Sequence, residues 1–192
     1  MKKFGTWMTV CCVSFMMLSI LSSCKKEENW NSAVFELLNR TDIATDTIPA
    51  ALTSWVYGFK LKPTEDGYVS RIGMKLPIAG TFQVKLWDLD KGVVLAEEKL
   101  TSTQKHEEVF TDVGDIDIAA NTTLGIAVQA SSFYKIRRTD GRAFDFPIVD
   151  GNLSILSYHE TRFSENPSAA FPGFETQHQL APCVDVIFIA DK

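Results

Sequence analysis

The sequence predicts an all-β protein. From Trp55 onward, apolar residues alternate with polar ones in short runs, and a period of two is the pattern of a half-buried strand. Turn residues separate the runs at a spacing of roughly 8–12 residues, and no long run with a helical period follows residue 40. Many short strands at this spacing are typical of a sandwich or a barrel, and about 145 residues can bury enough surface to fold without disulfides.

The first strands are predicted on either side of a turn at Pro63–Gly67. Proline fixes one backbone dihedral of a turn and glycine accepts a positive φ, so the chain is expected to reverse there. Before the turn, the alternating apolar residues are Tyr57, Phe59 and Leu61. After it, strict alternation predicts that one face of a strand carries Tyr68, Ile72, Met74 and Leu76, and that the other carries Val69, Arg71 and Lys75.

Turn residues delimit the remaining strands, which are predicted at 82–87, 93–100, 109–110, 116–118, 124–128, 133–138, 153–158 and 183–189. The reversals between them are expected at Pro77–Gly80, Asp90–Gly92, Gly114-Asp115, Ala120-Asn121, Asp140-Gly141 and Asp150-Gly151. The segment Ser164–Pro182 breaks this rhythm and is interpreted as an ordered loop packed by Phe163, Phe171 and Phe174. It is either a packed crossover before the last strand or a functional loop.

The N-terminus has the parts of an export signal. Lys2 and Lys3 precede an uncharged stretch from Phe4 to Ser23, which ends in small residues before Cys24. Leu21-Ser22-Ser23-Cys24 resembles the lipobox of bacterial lipoproteins, which implies that residues 1–23 are a cleaved signal peptide and that Cys24 is acylated. The alternative is an uncleaved membrane helix, since about 20 apolar residues could span a bilayer. Scattered polar residues and the lack of a positive stop-transfer run favour cleavage.

Residues 24–47 are interpreted as a tether, and the sandwich domain is assigned to residues 48–192. Val34, Leu37 and Leu38 fall at helical spacing, so a short helix is possible before Asn39. The charged run 25–28 after Cys24 resembles the export signal of Bacteroidetes lipoproteins, which implies an outer-membrane lipoprotein that is exposed on the cell surface. The alternative is a solvated spacer within the cell envelope.

Charge and cysteine content exclude several classes of protein. Without Lys2 and Lys3 the chain has 17 basic and 24 acidic residues, a formal charge of −7, so nucleic acid is not an expected partner. After removal of the signal and lipidation of Cys24, Cys183 is the one cysteine left, which leaves no disulfide and no paired-cysteine metal site. Cys183 lies in an apolar run and is expected to be a small buried residue.

Four segments in order resemble the bacterial domain-of-unknown-function family numbered 4082. They are Tyr57–Ile72, Val84–Ala96 with its Leu86-Trp87-Asp88, Asn121–Leu124, and Phe171-Pro172 ahead of Val184–Phe188. The resemblance covers about residues 53–190 and implies a jelly-roll-like β-sandwich of secreted and surface bacterial proteins. It implies no catalytic residues, because none are established for the family. The chain departs from the family pattern at residues 130–134, where relatives tend to carry a Pro-Asn-Gly turn.

Catalytic motifs are not found. His106, His159 and His178 are far apart and in no zinc-protease frame, and the chain has neither a Gly-x-Ser-x-Gly elbow nor a phosphate loop. We therefore expect a non-catalytic protein without a cofactor. A hydrolase would require two paired carboxylates in a cleft.

A structural calcium ion is conceivable at Asp112, Asp115 and Asp117, which cluster around Gly114. Calcium prefers six to eight oxygen ligands from carboxylates and carbonyls. The alternative is that these are ordinary turn aspartates that bond their own backbone.

Two groups of residues are candidates for glycan binding. Trp87 alternates with Leu86 and is expected to face outward or into a second layer, and a second aromatic and polar group comprises Phe133, Tyr134, Arg137 and Arg138. Aromatic rings stack on the apolar faces of sugars, although in sandwiches they also pack in the core. The leading hypothesis is a lipid-anchored β-sandwich that binds carbohydrate, and the alternative is a structural or adhesin-type subunit of a surface protein complex.

Overall fold

The prediction of an all-β fold is confirmed. The computed structural model describes residues 30–49, 51, 53–162 and 170–191, and within them the chain forms thirteen β-strands and one short 3₁₀ helix. Among these residues no helix has the length and apolar character needed to cross a membrane. The predicted signal peptide, Cys24 and the charged run that follows it lie outside the described residues.

The strands are β1 (Trp30–Asn31), β2 (Ile43–Ile48), β3 (Trp55–Pro63), β4 (Gly67–Lys75), β5 (Gly80–Asp88), β6 (Val93–Ser102), β7 (Glu108–Ile118), β8 (Leu124–Ala130), β9 (Phe133–Arg138), β10 (Ile148–Asp150), β11 (Leu153–Arg162), β12 (Phe174–Thr176) and β13 (Val184–Ala190). The 3₁₀ helix spans Phe35–Asn39. It ends at Asn39, where the sequence predicts the end of a short helix.

The strands form a two-layered antiparallel sandwich. The small sheet has the order β1-β13-β4-β7, and the large sheet has the order β10-β11-β3-β8-β5-β6, with β12 also paired to β11. From β3 to β5 the chain crosses between the layers twice, since β3 and β5 belong to the large sheet and β4 to the small one. The inward faces of both sheets meet in one core, whose largest fully buried side chains include Tyr57, Phe59, Ile72, Met74, Ile126 and Phe188.

The segment interpreted as a tether is built into the sandwich from Trp30 onward. β1 pairs with β13 at the edge of the small sheet, and β2 pairs with β9 in a separate two-stranded sheet. Between them, residues 32–38, here called the N-terminal strap, bury Ala33, Val34 and Leu37 against the core. The apolar spacing seen in the sequence therefore serves packing on the small sheet, and the folded domain begins before residue 48.

A buried carboxylate fixes the N-terminal strap. Asp185 of β13 is fully buried, and its Oδ2 accepts hydrogen bonds from the Ser32 hydroxyl at 2.9 Å and the Phe35 amide at 2.7 Å. Its Oδ1 accepts one from the Val186 amide at 2.8 Å. Burial raises the pKa of Asp185 to about 7, while these donors and the Val34 amide oppose the shift. A side chain distant in sequence thus holds the strap through the strap's own polar groups.

A bulge in β4 changes the face on which two predicted residues lie. Pairing with β13 passes from Val69, opposite Phe188, to Arg71, opposite Ile187, so Ser70 is the extra residue. Val69 and Ile72 are fully buried in the core, whereas Tyr68 and Arg71 lie on the outer face of the small sheet. The prediction that Tyr68 shares a face with Ile72 is therefore wrong, because one inserted residue reverses the alternation.

The predicted reversal at Gly114-Asp115 is also a bulge. The two short apolar pieces on either side belong to the single strand β7, which continues through this point. Gly114 and Asp115 adopt φ angles of 77° and 48°, the left-handed region that glycine tolerates best. The local kink keeps β7 paired with β4 on both sides of the irregularity.

Candidate functional site

A surface groove of about 510 Å³ lies on the outer face of the small sheet. It is here called the small-sheet groove, and its lining comes from three neighbouring strands. β4 contributes Tyr68, Ser70 and Arg71, β7 contributes Glu108, Phe110, Asp112 and Asp115, and β13 contributes Ile187 and Ile189.

The apolar part of the groove combines two aromatic rings with two isoleucines. Phe110 lies directly on Gly73 of β4, where a Cβ atom would overlap its ring, so glycine is required for this packing. Phe110 also meets Phe35 of the N-terminal strap edge-to-face, with ring centroids 5.7 Å apart. The strap therefore packs against one residue of the groove lining.

The polar part of the groove has groups available for a ligand. Within the described part of the chain, neither the exposed Arg71 guanidinium nor the exposed Asp115 carboxylate has a hydrogen bond or an ion pair. Glu108 is bound to the Lys75 ammonium at 2.8 Å, and Asp112 accepts a hydrogen bond from the Gly114 amide at 2.8 Å. Arg71 and Asp115 are thus a donor and an acceptor in one recess.

The two bulges create this arrangement. The Ser70 bulge brings Tyr68 and Arg71 to the same face, and the Gly114-Asp115 bulge lies opposite it on β7. Of the groove residues, Asp112 and Asp115 are predicted from the sequence as candidate ligands, but for calcium. A signal for the bulge was present in the apolar pair Val69 and Ile72, whose spacing of three departs from the period of a strand.

Trp87 is not available for stacking in this structure. Its side chain lies on the outer face of the large sheet but is 5% exposed, because Phe171 covers it edge-to-face at a centroid distance of 5.7 Å. The sequence predicts that Trp87 faces either solvent or a second layer of residues. The structure has the second arrangement, with Phe171 as the covering residue.

Phe133 and Tyr134 serve packing within the sandwich. The Phe133 ring packs on Tyr57 with centroids 4.7 Å apart. Tyr134 is 6% exposed, and its hydroxyl is 2.7 Å from Nδ1 of His106. Burial raises the pKa of Tyr134 to about 12. Neither the Phe133 ring nor the Tyr134 ring lines the small-sheet groove.

Arg137 and Arg138 are bound in ion pairs that brace β2 against β9. Arg137 pairs with Asp46 at 2.5 Å, and Arg138 pairs with Asp42 at 3.1 Å and with Asp140 at 2.8 Å. The hydrogen bonds from Arg138 hold the pKa of the Asp140 carboxyl well below its usual range. These guanidinium groups therefore have a structural role.

The aspartates considered for calcium do not form a metal cluster. No group of three or more His, Cys, Asp or Glu side chains in the described ranges is placed to hold a metal ion. Asp112 and Asp115 line the groove, while Asp117 does not. The bond from the Gly114 amide to Asp112 is the local turn interaction that the sequence analysis gave as the alternative.

Cys183 is fully buried, as expected for a small apolar residue. Burial raises the pKa of its thiol to about 12, so the reactive thiolate is not populated near neutral pH.

The fold and the groove define an all-β sandwich with a mixed aromatic and charged recess on one outer face. Comparison of the chain with models of protein families and with curated proteins gave no match. The resemblance to family 4082 therefore stays a prediction from the sequence.

Proposed function

We propose that this protein is a cell-envelope lipoprotein whose β-sandwich binds carbohydrate in the small-sheet groove without chemical conversion. The observation that carries the proposal is the presence of Tyr68 and Phe110 in the same recess as the Arg71 guanidinium and the Asp115 carboxylate, which pair with no other residue in the described ranges. Sugar recognition combines an apolar ring face with hydroxyl groups. The groove offers aromatic surface for the first, and a guanidinium and carboxylates for the second.

The charge of the groove favours neutral sugars. Its lining has three carboxylates, on Glu108, Asp112 and Asp115, against the single cation of Arg71. A recess with this balance repels polyanions. We therefore infer that the ligand is a neutral polysaccharide rather than one rich in uronic acids or sulfate.

Alanine at Arg71 is expected to weaken polysaccharide binding at least tenfold, because a donor that reaches sugar hydroxyls is lost. A tenfold change corresponds to about 1.4 kcal/mol. Affinity electrophoresis of the mature protein on a panel of neutral and acidic polysaccharides measures the effect. Lys99→Ala is the matched control, since it removes one exposed cation from β6 on the other sheet.

Retention by a neutral polysaccharide, reduced in Arg71→Ala and unchanged in Lys99→Ala, would support the proposal. Equal retention of all three proteins, or no retention on any polysaccharide, would contradict it. Release of new reducing ends from the retained polysaccharide would indicate a hydrolase instead.

Anchoring of the protein through Cys24 is proposed from the lipobox-like residues 21–24. Two or more acyl chains on one residue give stable membrane attachment, so the protein is expected in the outer membrane fraction. Intact-mass measurement of the native product should give a chain that begins at Cys24 and carries fatty acyl groups, and Cys24→Ser should lose them. A native product that begins at Met1 without acyl groups would refute the anchor.

A second candidate function is a structural or adhesin-type subunit of a surface complex. It is favoured by the edge of the large sheet, where β10 and β12 both pair with the side of β11 that is away from β3. Val149 on β10 and Phe174 on β12 are each 64% exposed there. Exposed apolar residues at a sheet edge are typical of surfaces that bind another protein.

A further inference from the structure

The outer face of the large sheet contains a pocket that the chain fills with its own Phe171. The pocket has a backbone floor at Gly58 and Gly125, where Cβ atoms would lie 3.0 Å and 2.7 Å from the Phe171 ring. Any larger residue at either position would displace the ring. We call this recess, with its walls of Trp87 and His159, the Phe171 pocket.

The walls of the pocket have the geometry that aromatic rings prefer. Phe171 meets the Trp87 indole at 81° with centroids 5.7 Å apart, and the His159 imidazole at 62° with centroids 5.2 Å apart. Edge-to-face contacts of this kind are specific for flat aromatic rings. The pocket therefore selects an aromatic side chain, which a sugar ring would replace poorly.

The pocket also holds a hydrogen-bonding group that the described chain does not use. His159 is 4% exposed, and its Nδ1 atom is buried without a partner. Its Nε2 lies 2.8 Å from the Ser157 hydroxyl and 3.7 Å from a carboxylate oxygen of Glu175 on β12. When Ser157 donates to Nε2, Nδ1 carries the imidazole proton and can donate to a carbonyl oxygen. Leaving such a group unpaired is unfavourable, so a ligand that supplies an acceptor there gains affinity.

The segment that presents Phe171 is held at the edge of the sheet by the buried Pro172 and by the short strand β12. Phe171 is half-buried, whereas Trp87 and His159 beneath it are buried. The Gly173 amide donates to Thr161 Oγ1 at 3.0 Å, and β12 adds a ladder of three residues to β11. Phe174 of β12 is exposed. Short edge strands open at lower free energy than central ones, so this segment can exchange with a competitor.

We propose that the Phe171 pocket is a docking site for an aromatic side chain of a partner protein, and that Phe171 occupies it in cis. The partner segment is an extended peptide with an aromatic residue before a proline, as in Phe171-Pro172. Its ring enters between Trp87 and His159, and its strand takes the place of β12 beside β11. This site is on the face opposite the small-sheet groove and does not depend on sugar binding.

A peptide with the sequence of residues 170–176, Ala-Phe-Pro-Gly-Phe-Glu-Thr, tests the proposal in trans. Calorimetric titration is carried out on the mature full-length protein as wild type, Phe171→Ala and Phe174→Ala. Phe171→Ala is expected to bind the peptide at least tenfold more tightly than wild type, because no internal ring competes. Phe174→Ala, which changes the exposed phenylalanine of the same segment, should behave as wild type. A peptide with alanine in place of its first phenylalanine should bind none of the three.

Equal affinity of wild type and Phe171→Ala, or no binding by a folded Phe171→Ala, would overturn the proposal. Tighter binding of neutral polysaccharide by Phe171→Ala than by wild type, without binding of the peptide, would also overturn it, in favour of a sugar pocket. If circular dichroism shows that Phe171→Ala is unfolded, Phe171→Leu replaces it. That variant keeps the cover but loses the edge-to-face contacts, so it should bind the peptide several-fold more tightly than wild type, and equal binding would refute the proposal.

Discussion

Alanine in place of Asp185 is expected to lower the free energy of unfolding by about 2–4 kcal/mol at pH 5. The Ser32 hydroxyl and the Phe35 and Val186 amides would lose their acceptor inside the fold. A buried donor without a partner costs most of its desolvation energy, and here the loss also releases the N-terminal strap. For a domain of this size the midpoint of thermal unfolding should fall by roughly 6–12 °C.

Urea unfolding followed by circular dichroism measures the change at Asp185, and Asp117→Ala is the control. Asp117 is exposed on β7, and a surface substitution of this kind is expected to stay within about 0.5 kcal/mol of wild type. Hydrogen exchange should show faster exchange at residues 33–37 in Asp185→Ala than in the control. Unchanged stability with unchanged exchange would mean that the strap is held by apolar packing alone.

The contribution of Asp185 should also depend on pH. Burial raises its pKa from an ordinary 3.8 to about 7, so the folded state binds the proton more tightly than the unfolded chain. Stability from this group is then fully present below about pH 4 and is lost as the pH rises to about 7. The difference in unfolding free energy between wild type and Asp185→Ala should shrink over that range, and a difference that grows with pH would contradict this assignment.

Alanine at Gly67 is the second substitution with a large expected effect, a loss of about 3 kcal/mol or more. A Cβ atom there would overlap the Ile189 carbonyl oxygen and lie 2.7 Å from Cζ of Phe188. Gly67 pairs with Ala190 on one side and with Ile118 on the other. Because the nearest atom belongs to the backbone, β4 and β13 would have to separate, and two ladders of the small sheet would be disturbed.

Gly173→Ala is the matched control for Gly67→Ala. A Cβ atom at Gly173 would meet nothing within 4 Å, and its backbone is not in the left-handed region. Its stability should be unchanged or slightly higher, since alanine reduces the entropy of the unfolded chain. Urea unfolding of both variants gives the comparison. Similar stabilities for the two would show that the small sheet can widen at β4 without cost.

The strands were predictable because their faces differ in polarity residue by residue. The strand at 133–138 has the bounds that the sequence predicts, and the run at 183–189 is shifted by one residue to Val184–Ala190. β1 and β2 were missed because β1 has two residues and β2 has no buried residue. A strand that is very short, or that buries neither face, leaves no period of two in the sequence.

The candidate site was harder to predict than the fold. Strict alternation assigns faces correctly until a bulge, and Ser70, which is extra against β13, moves Tyr68 from the predicted core face to the outer one. The alternation of Trp87 with Leu86 correctly predicts that the Trp87 side chain lies on the side of the sheet away from the core, facing outward or into a second layer. It could not identify Phe171 as the cover, because that contact joins residues far apart in sequence.

The pairing of β1 at the sheet edge has a consequence for where the domain can reside. If Cys24 carries the proposed lipid, only residues 25–29 separate the bilayer attachment from the paired Trp30. Six steps of extended chain reach about 20 Å, roughly half the diameter expected for a domain of this size. The folded domain would then lie directly against the lipid headgroups, and the short connection would limit the orientations that it can adopt relative to the membrane. Whatever it captures would have to come to the membrane surface, since the domain could not extend outward to meet it.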